Sequence, residues 1–297
     1  MGAVRTIHFF EHEQMDFEVR AGLGGAYYGS SDAGEFLATV ECIEDGNFES
    51  WFTAFVATGH RVRKSADQAL NPTSKAEAYL RAANYYGLAN VFVDGTEDPT
   101  RQLPTWQAHM DCWNEFCRLR SPRVDRLGIP LDGVEMPGWF FKAAEDDAPR
   151  PTMVFTNGSD GPTSCMWAFG IAGALRRGYN AFTYDGPGQN TMLWIHGVPF
   201  RPDWEAVVTP IADELLALHL EARERALLLL PHPSLQLRLP LLHGQRRNLL
   251  QVGGVSNKWM ELGLDVLEHP LDLDGDLARD VGAASNDVRC DANRLQR

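Results

Sequence analysis

The sequence predicts an α/β protein, with a block of amphipathic helices leading into a sheet that contains a parallel βαβ unit. Three observations carry this. Two short β-branched and aromatic runs, Thr152-Met153-Val154-Phe155 and Asn180-Ala181-Phe182-Thr183-Tyr184, each stop at a cluster of turn residues, Asn157-Gly158-Ser159-Asp160-Gly161-Pro162 and Asp185-Gly186-Pro187-Gly188. Between them, residues 166–176 put Trp167, Ile171, Ala174 and Leu175 at helical spacing, and Gly178 follows the basic pair Arg176-Arg177, as at a helix C-terminus. Residues 32–120 repeat apolar positions with helical period. Strand, helix and strand within about 40 residues make the two strands parallel and bring both turn clusters to the carboxyl edge of the sheet, where open α/β sheets keep their sites.

Taken in order, residues 34–43 place Phe36, Leu37, Val40 and Ile43 on one face, and Asp45-Gly46-Asn47 makes the turn. Residues 48–69 carry Trp51, Phe52, Phe55, Val62 and Ala66, and Asn71-Pro72-Thr73 ends that helix. The next helix is expected over 74–92, with Ser74 capping and Glu77 answering in a capping box. A fourth is expected over 107–118, with Met110, Trp113, Phe116 and Cys117 inward. Four such helices cannot each bury an apolar face alone, so they pack on one another and on the sheet that follows. Residues 124–141 read as a hairpin turning at Leu131-Asp132-Gly133, and residues 143–150 as a charged surface loop. Residues 204–218 form an amphipathic helix with Val207, Val208, Ile211, Leu215 and Leu218 inward.

Composition narrows the function classes. Hydrophobic content of 44% and charged content of 23% are ordinary for a globular protein. A net charge of −13 argues against nucleic acid or an anionic membrane as the main partner. The amino terminus has no apolar signal core, and no stretch is long and apolar enough to span a bilayer, so the expected location is cytoplasmic. Met1-Gly2 with Thr6 fits the loose myristoylation pattern, which chance matches satisfy easily. The five cysteines are odd in number and lack zinc spacing, so reduced thiols and no metal site are expected. Asn157-Gly158-Ser159 is a formal glycosylation sequon, expected to stay unmodified without a secretion signal.

The loop Asn157-Gly158-Ser159-Asp160 after one strand and Asp185-Gly186-Pro187-Gly188-Gln189 after the next resemble the α/β-hydrolase fold. The resemblance is to the subgroup with an N-terminal helical cap that includes pseudooxynicotine hydrolases and the fusarin-type hydrolases of fungal polyketide and hybrid polyketide-peptide pathways. Gly59-His60, the run YLRAANYY at 79–86 and Phe200-Arg201-Pro202-Asp203-Trp204-Glu205 add to it, over about residues 8–215. It implies an incomplete α/β-hydrolase core behind a helical cap: a cap region at 1–121, the first part of the core at 122–218, and an aberrant, partly disordered tail at 219–297. It also implies Gly158 and Ser159 as oxyanion-hole candidates, with Ser159 N–H the better donor because Gly158 lets the backbone approach a carbonyl closely. Asp160, Asp185 and Gly186, with Trp51, Tyr85, Tyr86 and Trp113 of the cap, are the pocket candidates. Aromatic residues at helical spacing also read as plain core, and His60 and Arg81 as surface or packing groups. The family continues Asp-Gly-Pro-Gly-Gln with glycine, whereas this chain has Asn190, which bears on how the next helix starts.

A dinucleotide-binding reading of Gly186-Pro187-Gly188 fails, because Pro187 removes a donor and Thr191 stands where the third glycine belongs; no cofactor is expected. Serine-type hydrolysis on this fold also needs a nucleophile on a tight strand-to-helix turn and an acid-oriented histidine. No G-x-S-x-G occurs in the chain. Residues 215–250 hold 15 leucines in 36 positions and a single glycine, Gly244, a bias foreign to what precedes it that points to an altered reading frame or a retained intron. A family-like fragment, Gly254-Val255-Ser256-Asn257-Lys258-Trp259, follows. The 175 residues from Arg123 onward are fewer than the roughly 250 of a complete core. His243, His269, Asp272, Asp274 and Asp276 have no motif around them and read as surface residues. The expectation is a hydrolase-family protein of secondary metabolism, cleaving an ester, amide or C–C bond in complete relatives and inactive as written. The alternative is a non-catalytic protein that binds a small hydrophobic metabolite or forms a homodimer.

Overall fold

The computed structural model describes residues 7–146, 148, 150–219, 226–227 and 250–253. Helix α1 (Glu13–Gly24) opens the chain and is followed by α2 (Ala33–Val40), α3 (Phe48–Gln68), α4 (Pro72–Asn90) and α5 (Gln102–Leu119). The hairpin is β1 (Val124–Leu131) and β2 (Val134–Phe141), and the βαβ unit runs from β3 (Thr152–Thr156) through α6 (Ala172–Arg176) to β4 (Asn180–Tyr184). Then come α7 (Asn190–Trp194), α8 (Glu205–His219), β5 (Ala226–Leu227) and β6 (Leu250–Gly253).

Helix α1 has no counterpart in the sequence reading, for a physical reason. Its N-cap is His12, whose Nδ1 accepts from Met15 N–H at 3.3 Å, in place of the usual Ser, Thr, Asp or Asn, and its apolar buried face is little more than Met15 and Val19. Helix α4 begins before the expected capping box. Asn71 is the cap, its Oδ1 accepting from Thr73 N–H at 2.9 Å and Ser74 N–H at 3.1 Å, and Pro72 fills the first turn, where a missing N–H costs nothing. Helix α5 likewise starts five residues earlier than its apolar stripe suggested.

The hairpin turns on Asp132 (φ 49°) and Gly133 (φ 86°), both left-handed, as a two-residue turn between twisted strands requires. The sheet order is β1-β2-β4-β3-β5, with β6 also pairing β3. Pairing is antiparallel for β1 with β2 and β2 with β4, and parallel for β3 with β4, β5 and β6. The expected parallel pair is thus present, in register from Thr152 opposite Asn180 to Thr156 opposite Tyr184.

Alternation along the strands divides the core in two. Trp139 and Phe141 of β2, Phe155 of β3 and Ala181 of β4 face the cap helices, with Trp51, Tyr85, Trp113 and Trp167 in the same cluster. Phe140, Val154, Phe182 and Tyr184 face the other way, onto Val207, Ile211 and Leu215 of α8. The segment after β3 departs from a regular helix: Trp167–Ile171 is a π-turn before α6. Gly170 sits there against the Phe155 ring, where an added Cβ would lie 2.0 Å from ring carbon Cε1. Gly178, at φ 79°, closes α6 as expected. The tail expected to be aberrant and partly disordered, with His243, His269 and the acidic residues beyond them, lies outside the described residues apart from His219 and the two short strands. Among the described residues no helix is long and apolar enough to cross a membrane.

Candidate active site

Because β3 and β4 are parallel neighbours, the loops that leave them meet at the carboxyl edge. The second loop grips the first at several points. The side chain of Gln189 is fully buried; its Oε1 accepts from Gly186 N–H at 2.7 Å and its Nε2 donates to the carbonyl of Asn157. Asn190 Nδ2 donates to Gly161 O at 3.1 Å and to Asp185 Oδ1 at 3.2 Å. Asp185 is fully buried, and its carboxylate also accepts from Thr163 Oγ1 at 2.8 Å and from Thr191 Oγ1 at 2.7 Å. Burial pushes the Asp185 carboxyl above its ordinary range, and the donors from Thr191, Thr163 and Asn190 pull against that. Asp185 and Gly186 therefore hold the two loops together, with their polar groups turned into that junction. Sequence reasoning gave Gln189 no role beyond its place in the motif and did not single out Thr163, since their partners lie 32 and 22 residues away.

Within the first loop, Asn157 folds back on itself. Its Oδ1 accepts from Gly158 N–H at 2.8 Å and its Nδ2 donates to Gly161 O, which closes the loop into a small ring. Of the two oxyanion candidates, the Gly158 N–H is therefore already engaged. Ser159 and Asp160 are exposed at the tip, and among the described residues Ser159 N–H has no partner. Asp160 faces Glu18 of α1, a half-buried side chain bonded to Gln14 Nε2 at 2.8 Å. Burial raises the Glu18 carboxyl to about 7, with the negative Asp160 adding to it.

Asn190 stands where the family has glycine. It adopts φ 32°, a region glycine enters freely and asparagine tolerates better than most residues, and α7 starts there regardless.

The cap meets the first loop at Gly87 of α4. A Cβ on Gly87 would fall 2.4 Å from Pro162 and 3.3 Å from His109 Nδ1, so only glycine allows this approach. His109 is fully buried, its ring stacked on Trp106 at 4.5 Å between centroids, and its Nδ1 lies 2.8 Å from Ala83 O. That contact makes Nδ1 the protonated nitrogen and leaves Nε2, which has no partner, as an acceptor.

The cap aromatics pack as the interior of the helical block. Trp51, Tyr85, Tyr86 and Trp113 are all buried. Trp51 Nε1 donates to Leu88 O at 2.7 Å, Tyr85 hydroxyl reaches Glu35 at 3.0 Å, and Tyr86 hydroxyl bonds His60 at 2.8 Å. Arg81 pairs with Glu35 at 3.1 Å. Uncovering one such ring would expose about 150–250 Å², or ~4–6 kcal/mol at ~25 cal/mol per Å². That is a large share of the ~5–15 kcal/mol that holds a domain together, so these rings stabilise the block in the arrangement described. Among the described residues no cluster of His, Cys, Asp and Glu could hold a metal ion.

A cap of packed helices, an antiparallel hairpin, and parallel strands whose loops interlock at the carboxyl edge define an incomplete α/β-hydrolase core with an N-terminal helical cap. The chain belongs to the α/β-hydrolase superfamily, on the branch of the fusarin-type fungal hydrolases. It is 32% identical over 208 residues to a hydrolase of a Fusarium species, covering 68% of this chain and 50% of that one. It is 30% identical over 211 residues to the 20-hydroxy-prefusarin hydrolase of Gibberella moniliformis, covering 69% and 50%. An α/β-hydrolase of an Acremonium species is 29% identical over 223 residues, covering 69% and 45%. The chain thus spans about half the length of the curated relatives it matches. Among solved structures, the 2,6-dihydroxy-pseudo-oxynicotine hydrolase shares its fold, with a TM-score of 0.54 at 18% identity over 65% of this chain and 52% of that one. No family model matches the sequence.

Proposed function

We propose that this chain is a hydrolase-family protein of fungal secondary metabolism, built to hold a small hydrophobic metabolite between the helical cap and the carboxyl-edge loops. Complete enzymes of this type would cleave an ester, amide or C–C bond of such a metabolite through a serine nucleophile. The observation that carries the reading is the interlocked pair of loops, which leaves Ser159 N–H unpartnered at the tip as a ready donor to a carbonyl oxygen that gains negative charge. The relative named for 20-hydroxy-prefusarin supports the substrate class.

As written, the 297 residues contain no G-x-S-x-G, so we expect the donor without the attacking serine, and no turnover. A fluorophosphonate probe reports activated serines directly. Intact mass is expected to show no adduct after incubation with the full chain, and stoichiometric labelling would overturn the inactivity. Sequencing the transcript across codons 215–255 shows whether another frame restores the elbow. The second reading, a non-catalytic metabolite binder or homodimer, predicts a thermal shift with a hydrophobic ligand or a dimer on size exclusion.

A further inference from the structure

We infer that Gln189 is a positioning residue for the oxyanion donor, fixing the direction of the Ser159 N–H by tying the Asn157 carbonyl to the Gly186 amide. The inference rests on the oxyanion reading given above, and it names the part that makes the loop a defined donor.

The carbonyl of Asn157 and the N–H of Gly158 belong to the same rigid unit and point in opposite directions, so whatever holds that carbonyl fixes the plane from which the two Gly158 torsions carry the chain to the Ser159 N–H. Gln189 Nε2 holds it from the neighbouring loop, while its Oε1 is fixed by Gly186 N–H at 2.7 Å. One planar carboxamide thus presents an acceptor to one loop and a donor to the other. Gln189 is fully buried, so water has no access to replace either bond. The nearest replacements lose this pairing: asparagine is one methylene short, and methionine fills the volume without a donor for the Asn157 carbonyl.

Apart from Cys165 Sγ, a weak donor 3.8 Å from Asn157 Oδ1, the remaining anchors act elsewhere on the loop. Asn190 holds Gly161 O and Asp185 holds Thr163, both beyond the tip, while the internal ring of Asn157 to Gly158 and Gly161 travels with the loop as a body. Gln189 is the tie at the entry to the loop, two residues before the donor.

The test uses the 297-residue chain, Gln189→Met and Gln189→Glu, with two readouts: hydrogen exchange of the Gly158 and Gly186 amides, and the response of the Ser159 amide resonance to phenylacetate, a simple carboxylate probe. In Gln189→Met the Gly186 amide, which loses its acceptor, and the Gly158 amide next to the released Asn157 carbonyl are expected to exchange about tenfold faster, the loss of roughly one hydrogen bond, and the probe response to disappear. Gln189→Glu keeps the acceptor for Gly186 but sets a carboxylate against the Asn157 carbonyl. Its loop is expected to be protected at acid pH, where the protonated acid donates as the amide did, and released as the acid ionises. A merely structural role gives no such pH profile, and this variant also serves if Gln189→Met fails to fold. Wild-type exchange and wild-type probe response in Gln189→Met, or a pH-independent loop in Gln189→Glu, would overturn the positioning role. A wild-type Ser159 amide that ignores the probe sinks the oxyanion reading instead, and loop exchange then still judges Gln189.

Discussion

His109 gives the cap a built-in acid limit. Burial lowers its pKa from 6.5 to about 4, with the Ala83 carbonyl opposing only weakly. A histidine in the unfolded chain takes a proton near 6.5, whereas the folded chain refuses it until about 4. The stability this supplies is complete above pH 6.5 and is lost as pH falls from there to about 4. At ~1.36 kcal/mol for each pH unit between those values, the swing is ~3 kcal/mol, a substantial part of the ~5–15 kcal/mol of a typical domain. Glu18 works in the opposite sense over nearly the same range: its carboxyl is raised to about 7, so acidification favours the folded state there. The two contributions mask each other in wild type, and a variant is needed to separate them. Urea unfolding of wild type and His109→Gln from pH 7.5 to 4 is the assay, because glutamine can still donate to Ala83 O but never titrates. The free-energy difference between the two proteins should move by ~3 kcal/mol against wild type across that range. Curves that stay parallel within about 0.5 kcal/mol would show that His109 is not held neutral by burial, and the reasoning would fail.

Two further substitutions test the junctions that shape the site. Gly87→Ala puts a methyl 2.4 Å from Pro162 and should cost ~1–3 kcal/mol by overpacking, whereas Gly24→Ala, with open space around its Cβ position and a helical backbone, should stabilise by ~0.4–1 kcal/mol; chemical denaturation of the pair reads opposite signs for one chemical change. Asp185→Ala strands the buried donors of Thr163 and Asn190 and frees the half-buried Thr191, and should cost ~2–4 kcal/mol, with Asp185→Asn recovering part of it through the remaining acceptor; equal stability of Asp185→Ala and wild type would remove the carboxylate from its anchoring role.

Much of the frame could be read before any coordinates. The periods of α3, α5 and α8, the Asp132-Gly133 turn, the Gly178 helix end and the parallel β3 and β4 pair follow from spacing and turn chemistry, which act between near neighbours. Helix α1 was hidden because its cap is a histidine and its apolar stripe is two residues wide. The π-turn was hidden because it leaves the apolar spacing of 166–176 unchanged, and the close approach of Gly170 to Phe155 within it joins residues 15 positions apart. At the site, the motif residues were legible, but their division of labour was not. Asp185 and Gly186 suggested a pocket surface and are bonded into the loop junction, while Gln189, read only as the end of the motif, ties the loops.

Sequence alone was enough for the main helices from α2 onward, the hairpin, the parallel β3 and β4 pair and the hydrolase kinship, since helical period, turn residues and the Asp-Gly-Pro-Gly-Gln run are local properties of the chain. Tertiary structure decided which polar groups face inward to join the two loops and which N–H is left over at Ser159. A hydrogen bond is set by position in space, and one between residues 32 apart in the chain leaves no mark on either one's neighbours.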